Sequence, residues 1–304
     1  MKYSLSYYLT LFVIRLKGIK KTFDTDPINY KKLRKEDVPV PRNKYFRQKS
    51  RLSTFRVFNT EVTEVRSGKE SKKLILFIHG GAFVYGPVKH HWDTVEKLSR
   101  LTGYTVWMCN YPKAPESKIP EISKNIDEVY KEALQQYDSE NIICIGDSVG
   151  GTLLITLTQR LIQNKMLLPD KLFLISPVID PSFKNPKIDL IDKTDPILSK
   201  KGVLSAKLLC AVHGNLNDPL LSPIAGSVDN FPETILFIAD NDITFPDQQI
   251  FVKNLSNAKV KHRVFIGEGM PHIWPLLPVM KEAGVALDIM IKLLKRDDEE
   301  NSQF

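Results

Sequence analysis

Cysteine is scarce: only Cys109, Cys144 and Cys210 occur among 304 residues. An odd set, without CxxC spacing or a nearby histidine pair, excludes a disulfide scaffold and a zinc site. Cys109 and Cys144 lie in apolar runs where a free thiol acts as a small hydrophobe, and a reducing cytoplasm is the expected compartment. Runs long enough to span a bilayer are missing too. The apolar stretch 3–14 is too short, lacks a small-residue cleavage site, and continues into Arg15-Leu16-Lys17. There is no internal repeat. A balance of 42% hydrophobic and 26% charged residues excludes disorder and collagen-like repetition.

Positive charge is present in excess. The formal net charge is +8, and basic residues gather in the first third: Lys17, Lys20, Lys21, Lys31, Lys32, Arg34 and Lys35, then those between Arg42 and Arg51. With no recognition motif and little aromatic interleaving, they read as a solvated face, and no nucleic-acid partner is expected. Leu5, Tyr8, Leu9, Phe12, Val13 and Leu16 recur at helical spacing. The expected element is an amphipathic helix docked on the protein's own core. Contact with a membrane surface is the second, less favoured reading. Val38-Pro39-Val40-Pro41 then breaks any helix and reads as an extended linker.

Beyond it, 52–57 and 60–66 read as two strands joined by a turn. The run 74–78 is continuously apolar, as a strand buried on both faces requires, and 105–109, 141–145, 171–175 and 234–239 repeat that character. A further strand is expected over 260–266. Helical patterns fall between and after them, over 91–101, 119–136, 151–164, 247–257 and 279–294. This alternation predicts an α/β fold, a mostly parallel sheet with helices on both faces. The stretch 180–229 is too long for a connection and contains a helical piece. It follows a strand's C-terminal end, so it is expected to wall a pocket. The charged tail 296–304 is expected to fray.

Gly146-Asp147-Ser148-Val149-Gly150 matches G-x-S-x-G between an apolar strand and a helical pattern. A nucleophile on so sharp a turn crowds its neighbours, and the glycines relieve that crowding. The next helix's N-terminus favours negative charge nearby. Directly after strand 74–78 comes His79-Gly80-Gly81-Ala82. Acyl transfer needs preorganised N–H donors for a tetrahedral oxyanion, and the expected donors are Gly80, Gly81 and Val149. His79 is expected to hold this loop, and Asp147 to be structural.

Serine needs a general base. The order nucleophile, acid, base leaves His213, His262 and His272 after Ser148. His262 lies within a strand pattern and His213 within the 180–229 stretch. His272 follows a strand in a Gly-rich loop, the best place from which to reach over the sheet edge. The acid belongs after strand 234–239, where Asp240, Asp242 and Asp247 compete.

These motifs resemble the hormone-sensitive-lipase-like family of α/β-hydrolase esterases over most of the chain. His79-Gly80-Gly81-Ala82-Phe83 is close to the family's HGGGF, and Tyr111-Pro112-Lys113-Ala114-Pro115-Glu116 to its Y-R-L-A-P-E. Gly146 to Gly151 is close to its G-D-S-A-G-G. Ala82, Val149 and Pro112-Lys113 depart from those patterns. The resemblance implies an α/β-hydrolase fold in which residues 1–45 form an N-terminal helical cap and 46–304 the catalytic domain, with 180–229 contributing to cap and pocket. It implies Ser148 as nucleophile, His272 as base and Asp242 as the acid that orients it. The expected activity is hydrolysis of small, short-acyl carboxylic esters through an acyl-enzyme, without metal or cofactor. Hydrolysis of acetylated sugars, lactones or amides, or a non-catalytic binding role, are the alternatives; a homo-oligomer is left open.

Overall fold

Strands with apolar side chains on both faces can be buried only between two helical layers, and this chain forms that arrangement. The structure, a computed structural model, describes residues 2–41, 44–47, 51–68 and 70–301. Its strands are β1 (Leu52–Val57), β2 (Thr60–Val65), β3 (Leu74–Ile78), β4 (Thr105–Asn110), β5 (Ile142–Asp147), β6 (Lys171–Ile175), β7 (Glu233–Ala239) and β8 (His262–Gly267). They form one sheet in the order β1-β2-β4-β3-β5-β6-β7-β8. β2 is antiparallel to both its neighbours, and β4 to β8 run parallel through the rest of the sheet. Every residue of β3, β5 and β6 is buried. Helices α4 (Lys89–Thr102), α5 (Ile119–Gln136), α6 (Val149–Gln163), α9 (Phe245–Asn257) and α10 (Lys281–Asn301) provide the connections and the C-terminal element. The last helix corrects the expectation of a frayed tail. It runs on to Asn301, and 302–304 lie outside the described residues.

The N-terminal segment holds α1 (Leu5–Leu16), α2 (Ile19–Phe23) and α3 (Tyr30–Leu33). Helix α1 begins at Ser4, whose Oγ accepts from the Tyr7 N–H at 3.1 Å, an N-cap bond worth about 1 kcal/mol. The helix docks on the protein, but by a different face from the one its sequence stripe suggested. Tyr7, Leu11 and Ile14 are buried, whereas Leu5, Tyr8, Leu9, Phe12, Val13 and Leu16 are 39–75% exposed. Both faces are apolar, so periodicity alone cannot say which one is inside.

The 180–229 stretch carries α7 (Ile188–Ile191) and α8 (Lys200–Cys210). It meets the N-terminal segment closely. A Cβ on Gly202 would fall 1.5 Å from the Phe23 carbonyl oxygen, so only glycine lets α8 lie on α2 there. The Ile28 N–H donates to Ser205 Oγ at 3.0 Å, and Ser199 Oγ donates to Asp24 Oδ1 at 2.8 Å. Lys20 Nζ donates to the carbonyl oxygens of Asp192 and Asp195. Arg34 ties the same segment to the rest of the chain. Its guanidinium donates to the Val84 and Ala114 carbonyls, both at 2.8 Å, and to both Glu116 oxygens.

Candidate active site

The turn from β5 into α6 holds Ser148 at φ 51°, ψ −119°, a conformation costing a non-glycine residue about 1–3 kcal/mol. The surrounding bonds hold it there: the Ser148 N–H donates to Ile175 O at 2.8 Å, and its own carbonyl accepts from Thr152. Close approach explains the flanking glycines. A Cβ on Gly150 would sit 1.9 Å from Ile78 O, and one on Gly146 2.7 Å from the Gly150 carbonyl carbon. Ser148 is also the N-cap of α6, where the first N–H groups lack intrahelical partners.

The glycine loop after β3 lies beside this turn. His79 Nδ1 donates to Gly80 O at 2.6 Å, and its ring stacks on Tyr111 with centroids 4.5 Å apart. Burial pushes the His79 imidazole well below its ordinary pKa, so it is a neutral strut. Gly80 departs from its expected role as an oxyanion donor. Its N–H donates to Asp147 Oδ1 at 2.9 Å, and Gly80 does not line the adjoining cavity, whereas Gly81, Ala82 and Val149 do. Ala82 takes φ 53° immediately after Gly81 at φ 117°, and this turn brings both residues to the cavity wall.

Asp147 is structural in the same sense. Burial works against its charged form, but the His91 ring, His90 and the Gly80 amide outweigh burial and hold the carboxyl below its ordinary value. His91 Nδ1 accepts from the Val88 N–H at 3.0 Å, so the ring proton sits on Nε2, which faces Asp147 Oδ2 at 3.3 Å and His90 Nε2 at 3.1 Å. These contacts tie His90, His91 and Asp147 into one hydrogen-bonded cluster. Desolvation, reinforced by His91, pushes His90 down to about 3.

Across the cavity, His272 Nδ1 and Asp242 Oδ2 are 2.7 Å apart and buried. Burial disfavours the imidazolium, yet the Asp242 charge and hydrogen bond prevail, with smaller help from Asp195 and Asp147, and raise the His272 pKa. Asp242 Oδ1 accepts from the Thr244 N–H at 2.9 Å. The other acids do different work: Asp240 Oδ1 accepts from the Gly269 N–H at 2.5 Å, and Asp247 accepts from Asn185 Nδ2 at 3.0 Å. His262, the first residue of β8, bonds Val260 O and Ser256 Oγ of α9, and His213 is solvent-exposed. Neither lines the cavity.

Ser148 and His272 line one cavity of about 50 Å³, with Phe23, Tyr85, Ile197, Leu198 and Val203 among its apolar walls. Phe23 comes from the N-terminal segment and the last three from 180–229. Sequence reasoning missed Asp195, whose carboxylate accepts the N–H groups of Ile197, Leu198 and Ile243 at 2.8–3.0 Å. Burial and the neighbouring Asp242 push it up to about 7. No local signal marks a residue 48 positions before the amide it braces. The His90-His91 pair was visible just after the glycine loop, but only folding shows its link to Asp147.

The fold and family of the chain have counterparts among known proteins. Residues 75–276 match the family model described as alpha/beta hydrolase fold. An esterase from Acinetobacter venetianus is 31% identical over 210 residues, covering 68% of this chain and 69% of that one. An ethyl acetate hydrolase from Pseudomonas putida is 24% identical, covering 73% and 72%. Among solved structures, a candidate esterase from Staphylococcus aureus superposes with TM-score 0.80 at 27% identity, covering 88% and 90%. An esterase of the bacterial hormone-sensitive lipase family shares the fold, with TM-score 0.83 at 23% identity over 97% and 99%. Fold and site define an α/β-hydrolase. More narrowly, the chain belongs to the hormone-sensitive-lipase-like esterase family and is an enzyme of the carboxylesterase class.

Proposed function

We propose that this enzyme hydrolyses small carboxylic esters with short acyl groups, using Ser148, His272 and Asp242 in a two-step acyl transfer. The observation that carries the reading is the buried 2.7 Å contact between Asp242 and His272 beside a cavity that Ser148 also lines. With Nδ1–H held by Asp242, His272 Nε2 is the basic nitrogen. It takes the Ser148 Oγ proton as Oγ attacks the ester carbonyl carbon. The oxyanion that forms is stabilised by N–H groups from Gly81, Ala82 and Val149. Collapse breaks the bond to the alkoxy group, which leaves as the alcohol with the proton from His272. Water then gives a proton to His272 and attacks the acyl carbon. The second oxyanion collapses, Ser148 Oγ regains the proton, and the acid is released.

Cavity size supports the short acyl group. The space of about 50 Å³ beside Ser148 and His272 is bounded by the apolar walls of Phe23, Ile197, Leu198 and Val203, which favours a small acyl group. We further propose that 1–45 and 180–229 act together as the cap, since Phe23, Ile197, Leu198 and Val203 wall the cavity from those two segments. A panel of p-nitrophenyl esters of rising acyl length tests the reading. The expected result is turnover that declines beyond short chains and falls on the order of 10⁶-fold in kcat for Ser148→Ala. Retained turnover in that variant, or a preference for long chains, contradicts it.

A further inference from the structure

Helix α1 presents an apolar face to solvent although its opposite face is already docked. Leu5, Tyr8, Leu9, Phe12, Val13 and Leu16 form a stripe with each residue 39–75% exposed. Scattered exposed hydrophobics need no explanation, but a continuous stripe marks an interaction surface. At about 100° per residue, Arg15 falls beside Tyr8 on one border of the stripe and Lys17 beside Val13 on the other. Lys21 follows in α2. All three are exposed, and none has an ion-pair partner among the described residues. No acidic residue occurs before Asp24. The acids nearest the other end of the helix, Glu268 and Glu282, are engaged by Lys2 and Ser4.

We infer that α1 is a membrane-surface helix that seats the enzyme on anionic lipid, with the apolar stripe in the acyl boundary and Arg15, Lys17 and Lys21 among the headgroups. An apolar face bordered by basic side chains is what the bilayer interface selects. The uncompensated basic border, with no acidic residue before Asp24 to complement it in a second copy of this segment, favours an anionic surface as the occupant. Seating lies in the membrane plane: among the described residues no helix is long and apolar enough to cross. The helix also touches the active-site framework. Tyr7 Oη donates to Gly269 O at 2.9 Å, in the loop that carries His272, and α2, which follows, supplies Phe23 to the cavity wall.

Co-sedimentation of the full-length enzyme with vesicles tests this independently of turnover. Phosphatidylcholine vesicles with and without phosphatidylglycerol are compared at low and high salt. The expected result is binding that depends on the anionic lipid and weakens with salt. Leu9→Glu combined with Phe12→Glu should abolish it, and Arg15→Glu with Lys17→Glu should weaken it roughly 25-fold or more, at about fivefold per basic residue removed. All four side chains are exposed and outside the cavity, so thermal stability and hydrolysis of a dissolved short ester should be unchanged. Three results overturn the inference: no binding to anionic vesicles, undiminished binding by the Leu9→Glu/Phe12→Glu variant, or a dimer that this variant splits without any lipid binding.

Discussion

Burial alone would favour the neutral His272 ring, but Asp242 at 2.7 Å reverses that preference and raises its pKa. A base acts only when neutral, so the acid limb of kcat/KM should lie above the ordinary histidine value of about 6.5. Asp242→Asn removes the strongest raising influence. Its kcat should fall about 10⁴-fold, and the acid limb of the remaining activity should move to lower pH; an unmoved limb would argue against the pair. The same pair contributes to stability fully below about pH 6.5, where the unfolded histidine is also protonated, and loses that contribution as pH rises through the raised folded value. Asp195 has the opposite chemistry but the same sign of slope. Its pKa rises to about 7 in the fold, against about 3.9 unfolded. The folded state therefore keeps a proton that the unfolded state has lost, and stability should fall between about pH 4 and 7. Asp195→Asn should flatten that slope in urea titrations. It should also cost about 1–3 kcal/mol by unpairing one of three amides; a parallel slope in the variant would refute the assignment.

Helices and strands were legible where burial is one-sided or complete. Uninterrupted runs such as Leu74 to Ile78 announced strands covered on both faces, and the glycines around Ser148 announced the turn. Helix α1 was legible as a helix but not as an oriented one, because Tyr7, Leu11 and Ile14 alternate with an equally apolar outer stripe. The packing of α8 on α2 was hidden because nothing local marks Gly202 as a contact. Gly202→Ala would put a methyl 1.5 Å from Phe23 O and must separate the two helices. The expected outcome is faster amide exchange in α2 and a raised KM with kcat less affected. Unchanged exchange would show that the two segments are not coupled there.

The chain builds its site from pieces that only the complete fold assembles. Ser148, Gly81 and His272 could be picked out because strand ends, glycine loops and chain order constrain them. Asp195 under the acid's loop, Arg34 across Val84, Ala114 and Glu116, and His91 on Asp147 could not, because each acts across about fifty positions or more. The Gly80 amide shows the same limit: its residue type suits an oxyanion donor, but Asp147 occupies it. All these parts converge on one serine, so covalent capture of that serine is the decisive assay. The native enzyme is treated with a fluorophosphonate, digested, and the adduct located by mass spectrometry, with Ser148→Ala alongside. One adduct on Ser148, absent from the variant and slowed in Asp242→Asn, is the expected result. An adduct on another residue, or undiminished labelling of Ser148→Ala, would contradict it.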